Sequence, residues 1–374
     1  MRVLVAPQEF KGTLTAAEAA QAIAAGVRLA LPEADVDLLP MADGGPGTVR
    51  AMVGASNGGR ILEATVHDPL GRHVGAEWGL LEDGSGVIEM ASAAGLWRLR
   101  EDERDPRVAS TFGVGELIAE ALAAGCRRII VGLGGSATND GGAGMAAALG
   151  VRLLDANGRE LPAGGAALAA LHRIEIAGLD SRLKGCEVVV ACDVTSPLCG
   201  PQGASLLYGP QKGALPAVAL ELEAALRHYA GIVEEATGVS VLDLPCAGAA
   251  GGLGAGLAAF LGAKLCPGVE VVAEAVGLRE RLIAAELLVT GEGRLDGQTS
   301  LGKTVVGVAA MARESGVPVL VVAGSLGDGW EKALPFFFGV ESAAGAGGGI
   351  AHRRAVSLAS ARAVRGWLRV QGLM

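Results

Sequence analysis

The hydrophobic pattern near the start of the chain predicts two strands with a helix between them. Residues 2–7 and 36–40 are short apolar runs with the length of buried strands. Thr15 and Glu18 have the spacing of a capping box, in which each residue satisfies a backbone N–H group at the start of a helix. A helix is therefore predicted over residues 16–31.

A similar alternation returns after residue 245. The pattern there predicts a strand, a helix, a second strand, a short last strand and a final helix, at residues 286–291, 302–315, 317–324, 336–345 and 351–370. Together, the two ends of the chain supply five strands that alternate with helices. This is the pattern of a doubly wound parallel sheet.

The middle of the chain has a different pattern. Residues 61–92 contain three strand-like runs separated by the turn sequences DPLG and EDGSG, which predicts a meander. Further helices and strands are predicted at residues 115–125, 127–133, 151–155, 186–194 and 216–237. The middle therefore reads as a mixed α/β region.

These patterns predict an α/β fold with two α/β domains. Residues 1–58 and 246–374 would form one discontinuous, doubly wound domain with a parallel sheet. Residues 59–245 would form an inserted mixed α/β domain. The site is expected in a cleft between the domains, near the carboxyl ends of the strands.

Composition and charge exclude several classes of protein. The chain has 374 residues and is 51% hydrophobic, which is enough for about two domains. Its net charge is −9 and no block of Lys or Arg runs along it, so nucleic acid is not expected as a main partner. The six cysteines form no C-x-x-C pair, and a zinc site is not expected.

One segment is a candidate for a membrane span. Residues 246–263 are 18 residues without a charge, but six of them are glycine and a charged segment follows at once. We predict a glycine-rich loop that enters a buried helix. The apolar run at the N-terminus is too short for a signal peptide, so a cytoplasmic protein without a membrane partner is expected.

Residues 297–304, GQTSLGKT, match the spelling of a Walker A phosphate loop. In such a loop the first glycine directly follows a buried strand, but the six residues GEGRLD separate Thr290 from Gly297. The strand at 317–324 also lacks a Walker B aspartate. We interpret the match as coincidental, while Lys303 at a helix start stays a candidate for contact with a phosphate.

A second pattern suggests a dinucleotide-binding turn. Residues 132–137, GLGGSA, follow a predicted strand, and Asp155 ends a later one at the distance that a Rossmann site requires. The helix should begin inside the motif, but residues 138–142, TNDGG, are poor helix formers. An NAD-dependent dehydrogenase is therefore a minor alternative.

Several glycine-rich loops at predicted strand ends carry a carboxylate or an amide. These side chains are Asp43, Asn139, Asp140, Asp193, Glu292 and Asp296. Glycines let backbone N–H groups approach an anion, and carboxylates hold Mg²⁺ or accept a proton from a hydroxyl. The combination suits phosphoryl transfer, in which positioning and charge neutralisation supply most of the catalysis. The alternative for any single loop is that Gly and Asp only form a turn.

Long stretches of the chain strongly resemble the bacterial glycerate kinases that are not P-loop proteins. They are GGSATNDGGAGMAAALG, ACDVTSPLCGPQGAS, YGPQKGA and TGEGRLDGQTSLGK, while ADGGPGT and APQEFKGTLTA match less well. The resemblance runs from residue 1 to about residue 328. It implies ATP-dependent phosphorylation of D-glycerate to a phosphoglycerate, with the 2-phospho product favoured, and usually with Mg²⁺. It also implies that one of the two α/β domains is flavodoxin-like.

Motif matching to that family nominates the site residues. Lys11, Asp43, Asp193 and Asp296 are the catalytic candidates, and Asp193 and Asp296 are candidates for metal ligand or general base. Lys11 is a candidate for holding the glycerate carboxylate or a phosphate. The candidates for binding substrate or nucleotide are Gly134, Gly135, Ser136, Asn139, Asp140, Glu292, Gln298, Thr299 and Lys303. The backbone amides of the first three would hold a phosphate.

The chain also departs from the family pattern. Gln8 and Glu9 stand where the family usually has Asp and Ser, and Pro46 stands where it usually has Glu. Three readings remain: ordinary glycerate kinase activity, a kinase for another small hydroxy acid, and a catalytically weak relative that still binds ligand. The Ala- and Gly-rich composition is compatible with a homodimer.

Overall fold

The structure is a computed structural model, and it describes residues 1–297, 299, 304–344 and 350–373. The chain folds into two compact units. Met1–Asp43 and Val269–Met374 form the first unit, and Gly44–Gly268 form the second. The first unit is therefore built from both ends of the chain, and the second is inserted into it.

The strands of the described residues are β1 (Arg2–Val5), β2 (Asp35–Leu38), β3 (Arg60–His67), β4 (His73–Leu80), β5 (Gly86–Glu89), β6 (Arg128–Gly132), β7 (Arg152–Leu154), β8 (Arg173–Glu175), β9 (Glu187–Cys192), β10 (Lys264–Pro267), β11 (Leu287–Leu295), β12 (Val319–Leu326) and β13 (Gly339–Ser342).

The α-helices of the described residues are α1 (Ala16–Ala30), α2 (Thr48–Ala55), α3 (Met90–Ala94), α4 (Phe112–Ala123), α5 (Ala143–Ala148), α6 (Ala204–Tyr208), α7 (Pro216–Thr237), α8 (Ala249–Leu261), α9 (Gly268–Ala275), α10 (Leu278–Ile283), α11 (Thr304–Glu314) and α12 (Ile350–Val370). The predicted capping box is present: the Thr15 hydroxyl accepts from the Glu18 N–H group, and the Glu18 carboxylate accepts from the Thr15 N–H group.

The first unit contains a five-stranded parallel sheet in the order β13-β12-β11-β1-β2. Counted along the unit's own strands, this is the 2-1-3-4-5 order of flavodoxin-like folds. Its core is formed by apolar side chains of the strands together with α1 and α12. The predicted doubly wound sheet built from both termini is confirmed.

Helices α1 and α12 approach each other closely at one glycine. A Cβ atom on Gly26 would lie 2.1 Å from the carbonyl oxygen of Ser357 and 2.6 Å from the Cβ atom of Ser360. Any side chain at residue 26 would therefore push the two helices apart. The glycine at this position is explained by packing.

The second unit contains a six-stranded mixed sheet in the order β10-β9-β6-β5-β4-β3. Strands β3, β4 and β5 are antiparallel neighbours, which matches the predicted meander, and the other neighbours are parallel. The predicted strand at 151–155 is present as β7, but it pairs only with β8 in a separate two-stranded sheet.

The uncharged segment at residues 246–263 folds as a glycine-rich turn and a buried helix. Ala250, Gly251 and Gly252 have left-handed backbone conformations where the chain enters α8. Within the described residues, no helix is long and apolar enough to cross a membrane.

The division between the units differs from the predicted domain boundaries. The prediction placed the boundaries after residues 58 and 245, whereas the units divide after residues 43 and 268. The physical reason is side-chain packing. Val53 of α2 packs directly on β4 in the second unit, since its Cγ2 atom would lie only 2.7 Å from a Cβ atom on Gly79. Leu253 and Leu257 of α8 belong to the hydrophobic core of the second unit.

We expect Gly26→Ala to lower the free energy of unfolding by about 1–3 kcal/mol, because the new methyl group collides with the α12 backbone. The matched control is Gly366→Ala, since Gly366 lies in α12 and a Cβ atom there would have no neighbouring atom within 4 Å. That change is expected to stabilise the helix by about 0.5–1 kcal/mol. Urea denaturation of the two variants checks the prediction, and equal effects would contradict it.

Candidate active site

In the first unit, Lys11 follows strand β1, Glu292 lies within β11 and Asp296 directly follows it, and β1 and β11 are neighbours in the sheet. The order of the sheet reverses between these two strands, and ligands of open α/β sheets bind outside the carboxyl ends of strands at such a point. The Gln8 N–H group donates to the Gly291 carbonyl at 2.9 Å. The segment that leaves β1 therefore runs beside strand β11.

Gln8 and Asp43 are hydrogen-bonded to each other. The Met41 N–H group donates to the Pro7 carbonyl at 2.9 Å, so the segment after β2 follows the segment after β1. This brings the buried Gln8 side chain to Asp43, and its amide donates to the Asp43 Oδ2 atom. An aspartate at residue 8 would instead present a second carboxylate to Asp43. The departure from the family pattern thus supplies a neutral donor.

The charge of Lys11 acts on the carboxyl group of Glu9. Burial raises the pKa of the half-buried Glu9 carboxyl, the charge of Lys11 opposes this, and the charge of Asp43 adds to it. Lys11 itself is exposed. The charges of two of the predicted residues, Lys11 and Asp43, thus both act on the Glu9 carboxyl. The structure also adds Glu9, which the sequence marked only as a departure from the family.

The loop after β11 is ordered by a threonine hydroxyl. Thr299 Oγ1 donates to Glu292 Oε1 at 2.7 Å, and the Asp296 N–H group donates to Thr299 Oγ1 at 3.2 Å. Glu292 is buried, whereas the Asp296 side chain is partly exposed. Glu292 therefore supports the turn that presents Asp296. The predicted residues Gln298 and Lys303 lie outside the described residues.

In the second unit, the loop after β6 passes close to the backbone at residues 44–45. The Gly134 N–H group donates to the Gly44 carbonyl at 3.1 Å, so in this conformation it has no proton left for a phosphate oxygen. A Cβ atom on Gly134 would lie 2.5 Å from the Gly45 Cα atom, which explains the glycine. Gly135 is exposed and left-handed, with φ of 78°, and Ser136 follows it.

Asp140 is completely buried and binds its own loop. Its carboxylate accepts from the N–H groups of Thr111, Gly142 and Gly144, at 2.8, 3.2 and 3.2 Å, and from the Thr111 hydroxyl at 2.9 Å. Burial raises the pKa of Asp140, and these hydrogen bonds oppose the rise. With no exposed surface, this carboxylate positions the loop and does not reach a substrate in this conformation.

A buried lysine that the sequence patterns did not single out also holds this loop. Lys212 is 1% exposed, and its Nζ atom donates to the Thr138 carbonyl at 2.7 Å. Burial lowers the pKa of Lys212 to about 7, and the charge of Asp140 opposes this shift. Its position in the YGPQKGA stretch, which carries the family resemblance, was the available signal. Asn139, also buried, donates to Ser205 Oγ at 2.9 Å.

Asp193 differs from Asp140 in being exposed. It directly follows β9, whose carboxyl end lies beside that of β6, with Ala191 opposite Gly132. Asp193 and the segment of Gly135 and Ser136 therefore follow neighbouring parallel strands. This edge of the second sheet presents an exposed carboxylate and an exposed glycine turn.

We expect Asp140→Asn to lower the free energy of unfolding by at least about 2 kcal/mol. The new amide would place N–H protons against backbone N–H groups in a site without water access. The control is Asp102→Asn, because Asp102 is exposed and its surface ion pair with Arg100 contributes little to stability. Denaturant unfolding of both variants checks this, and an Asp140→Asn protein as stable as the control would contradict it.

Lys212→Met should give a stability difference that depends on pH. The folded-state pKa of about 7 lies below the ordinary value of 10.5, so the unfolded state binds more protons between these values. The penalty for burying the ammonium is fully present below pH 7 and fades as the pH rises towards 10.5.

The wild type should therefore gain stability relative to Lys212→Met between about pH 7 and pH 10. Urea unfolding at several pH values measures the difference, with the exposed Lys184→Met as the control. A difference that stays constant across this range would show that Lys212 keeps its ordinary proton affinity.

Comparison with known proteins identifies the family. The model of the glycerate kinase family matches residues 3–346. A glycerate kinase of Halalkalibacterium halodurans is 50% identical over 91% of this chain and 89% of its own length. A glycerate 2-kinase of Escherichia coli is 50% identical over 88% of this chain and 86% of its own.

A solved structure agrees with the sequence relatives. The crystal structure described as a glycerate kinase 2 from Salmonella typhimurium superposes with a TM-score of 0.89 at 44% identity, and the match covers 100% of both chains. Its fold is thus the fold described above. The chain belongs to the glycerate kinase family.

Proposed function

We propose that this chain transfers the γ-phosphoryl group of ATP to the 2-hydroxyl of D-glycerate. The family makes it a phosphotransferase that acts on an alcohol group, with ATP as the phosphate donor. The choice of the 2-hydroxyl follows the relative from Escherichia coli, which is named a glycerate 2-kinase. The observation that carries the proposal is the set of carboxylates, lysine and glycine turns at the carboxyl ends of parallel strands in each unit.

Lys11 is the proposed partner of the glycerate carboxylate. It is exposed and follows β1 at the point where the order of the first sheet reverses. The carboxylates of Glu9 and Asp43 interact with the same region and offset part of the positive charge. A singly charged carboxylate therefore suits Lys11 better than a phosphate with two charges.

The turn at the exposed Gly135 and the buried Ser136 is the proposed contact for phosphate oxygens. Glycine in a left-handed conformation lets backbone N–H groups converge on an anion. Asn139 and Asp140 would act through this turn, because both are buried and bind the loop that carries it. Gly134 has the same supporting role through its hydrogen bond to Gly44.

Mg²⁺ is a further part of the proposal. The described residues hold no group of three or more His, Cys, Asp or Glu side chains placed to bind a metal. Mg²⁺ at phosphoryl-transfer sites takes one or two carboxylates, together with waters and phosphate oxygens, so single carboxylates fit it. Asp193 and Asp296 are the candidate ligands, and the ion would neutralise charge on the transferring phosphate.

The second role to assign is the acceptance of the proton from the 2-hydroxyl. Asp193 and Asp296 are candidates here as well, because both carboxylates are at least partly exposed at strand ends. Substitution of a Mg²⁺ ligand and substitution of the base that accepts the proton have different effects on the kinetics. Loss of a metal ligand raises the Mg²⁺ concentration needed for activity, whereas loss of a base lowers kcat at saturating Mg²⁺.

Two of the three departures from the family pattern favour an active enzyme. Gln8 gives Asp43 a hydrogen-bond donor, and Glu9 supplies a carboxylate next to the position where one is missing. The alternatives are a kinase for another small hydroxy acid and a weak relative that only binds ligand. A cytoplasmic location and a homodimer stay predictions.

We expect Asp193→Asn and Asp296→Asn each to lower the rate of D-glycerate-dependent ADP release at a fixed, sub-saturating Mg²⁺ concentration by about 100-fold or more, with little loss of stability. The measurement is ADP release from ATP in the presence and absence of D-glycerate, repeated over a range of Mg²⁺ concentrations. Asp102→Asn, an exposed aspartate in the second unit, is the matched control. Full activity in both site variants would remove these residues from the chemistry.

A further inference from the structure

The second unit contains an open cleft that the proposed roles leave unused. Its volume is about 320 Å³, and it is lined by the start of α2, by β3, β4 and the end of β5, and by residues 92–98. Glutamate, arginine and tryptophan side chains form most of its wall. The cleft lies entirely within the second unit, so its geometry depends on that unit alone.

Three glutamates lie side by side on the sheet that forms one wall. Glu63 of β3 is directly opposite Glu77 of β4, and the charge of Glu77 acts on Glu89 of β5. Like charges on opposite strand positions repel each other, which is a local cost. Such a row of like charges needs partners that offset the repulsion.

Two of the three glutamates have partners, and the third has none among the residues that the structure describes. Arg50 donates to both oxygens of Glu77, at 3.0 and 2.8 Å. Glu89 Oε1 accepts from the N–H groups of Gly47 and Val49 at the start of α2. Within the described part of the chain, Glu63 has neither a hydrogen bond nor an ion pair. Its Oε1 atom lies over Gly75, where a Cβ atom would be only 2.1 Å away.

The lining of the cleft also includes an exposed indole in a fixed position. Trp97 is 66% exposed, yet its Nε1 atom donates to the Ala91 carbonyl at 2.9 Å. The Arg98 guanidinium lies 4.5 Å from the centre of the ring and donates to the carbonyls of Ser92 and Gly75. Tryptophan is the largest apolar side chain, and an ordered, exposed indole at a cleft is a surface for a flat ligand.

The wall with Trp97 is joined to the turn that we propose for phosphate. The Leu96 N–H group donates to the Gly135 carbonyl at 2.9 Å, and the Ala137 N–H group donates to the Ala94 carbonyl at 3.0 Å. Residues 94–97 and 135–137 are therefore neighbouring backbone segments. A ligand that extends from the cleft towards Gly135 would still contact the second unit.

We propose that this cleft binds the nucleoside part of ATP, with the base against Trp97 and the ribose hydroxyls donating to Glu63 and Glu77. Any nucleotide base stacks strongly on an aromatic side chain. Carboxylates accept hydrogen bonds from ribose hydroxyls in other nucleotide sites. Three glutamates against two arginines make the cleft unsuitable for phosphate or glycerate, which are anions. This inference rests on the proposed function.

The test compares ATP and D-glycerate as ligands of Trp97→Ala and Glu63→Gln. We expect Trp97→Ala to raise the KM for ATP by about 10-fold. Glu63→Gln should raise it by a smaller factor, and both variants should leave kcat and the KM for D-glycerate within about 2-fold of the wild type. Trp97→Phe, which keeps a stacking surface, should stay close to the wild type in all three constants. Glu82→Gln, an exposed glutamate in the β4–β5 turn, is the matched control for charge.

Calorimetric titration with ADP separates this inference from the proposed function. ADP binding weakened in Trp97→Ala would support the cleft even if the wild type proved to have no kinase activity with D-glycerate. An active enzyme whose KM for ATP is unchanged in both variants would overturn the inference and leave the function standing. A rise in the KM for D-glycerate alone would also overturn it, since the cleft would then bind the hydroxy acid.

Discussion

The parallel pairing of β1 with β11 is the constraint on which the first unit depends. It joins segments from the two ends of the chain, and the bond from Thr290 Oγ1 to the Ala6 carbonyl spans 284 positions of sequence. Without this pairing, Lys11 and Asp296 would belong to unrelated loops. With it, the residues that leave both strands share one edge of the sheet, and the order of the strands reverses there.

The second unit uses the same principle with an added internal support. Its parallel strands β6 and β9 also end at one edge, where Asp193 and the Gly135 turn follow them. The loop after β6 is held from inside by Asp140 and Lys212, which are both buried. Buried charges of this kind are expensive unless they are hydrogen-bonded, and here they make many of the loop's backbone contacts. A preorganised loop suits a reaction that depends on positioning.

Local sequence signals predicted local structure well. The capping box of Thr15 and Glu18 formed as expected, because it involves only neighbouring residues. The meander, the glycine-rich entry into α8 and the alternation at both ends were also predictable from short patterns. The partner of β7 was not predictable, because strand pairing is decided by residues far away in the sequence. The same limit explains why α2 and α8 fell on the wrong side of the predicted boundaries.

The roles of single charged residues were harder to predict than the fold. Asp140 and Asp193 look alike in the sequence, since both are aspartates in glycine-rich loops after a strand. Only the structure separates the buried residue that orders a loop from the exposed one that is able to meet a ligand. Gln8 is the opposite case. In the sequence it stands where the family usually has an aspartate, and in the structure its amide donates a hydrogen bond to Asp43.

The most direct test of the proposed function is ADP release by the purified wild type from ATP and Mg²⁺, with the phosphorylated product identified by phosphorus NMR. We expect ADP release that depends on D-glycerate and yields an equal amount of 2-phosphoglycerate. A folded protein that releases no ADP with D-glycerate, or that forms 3-phosphoglycerate, would contradict the proposed function.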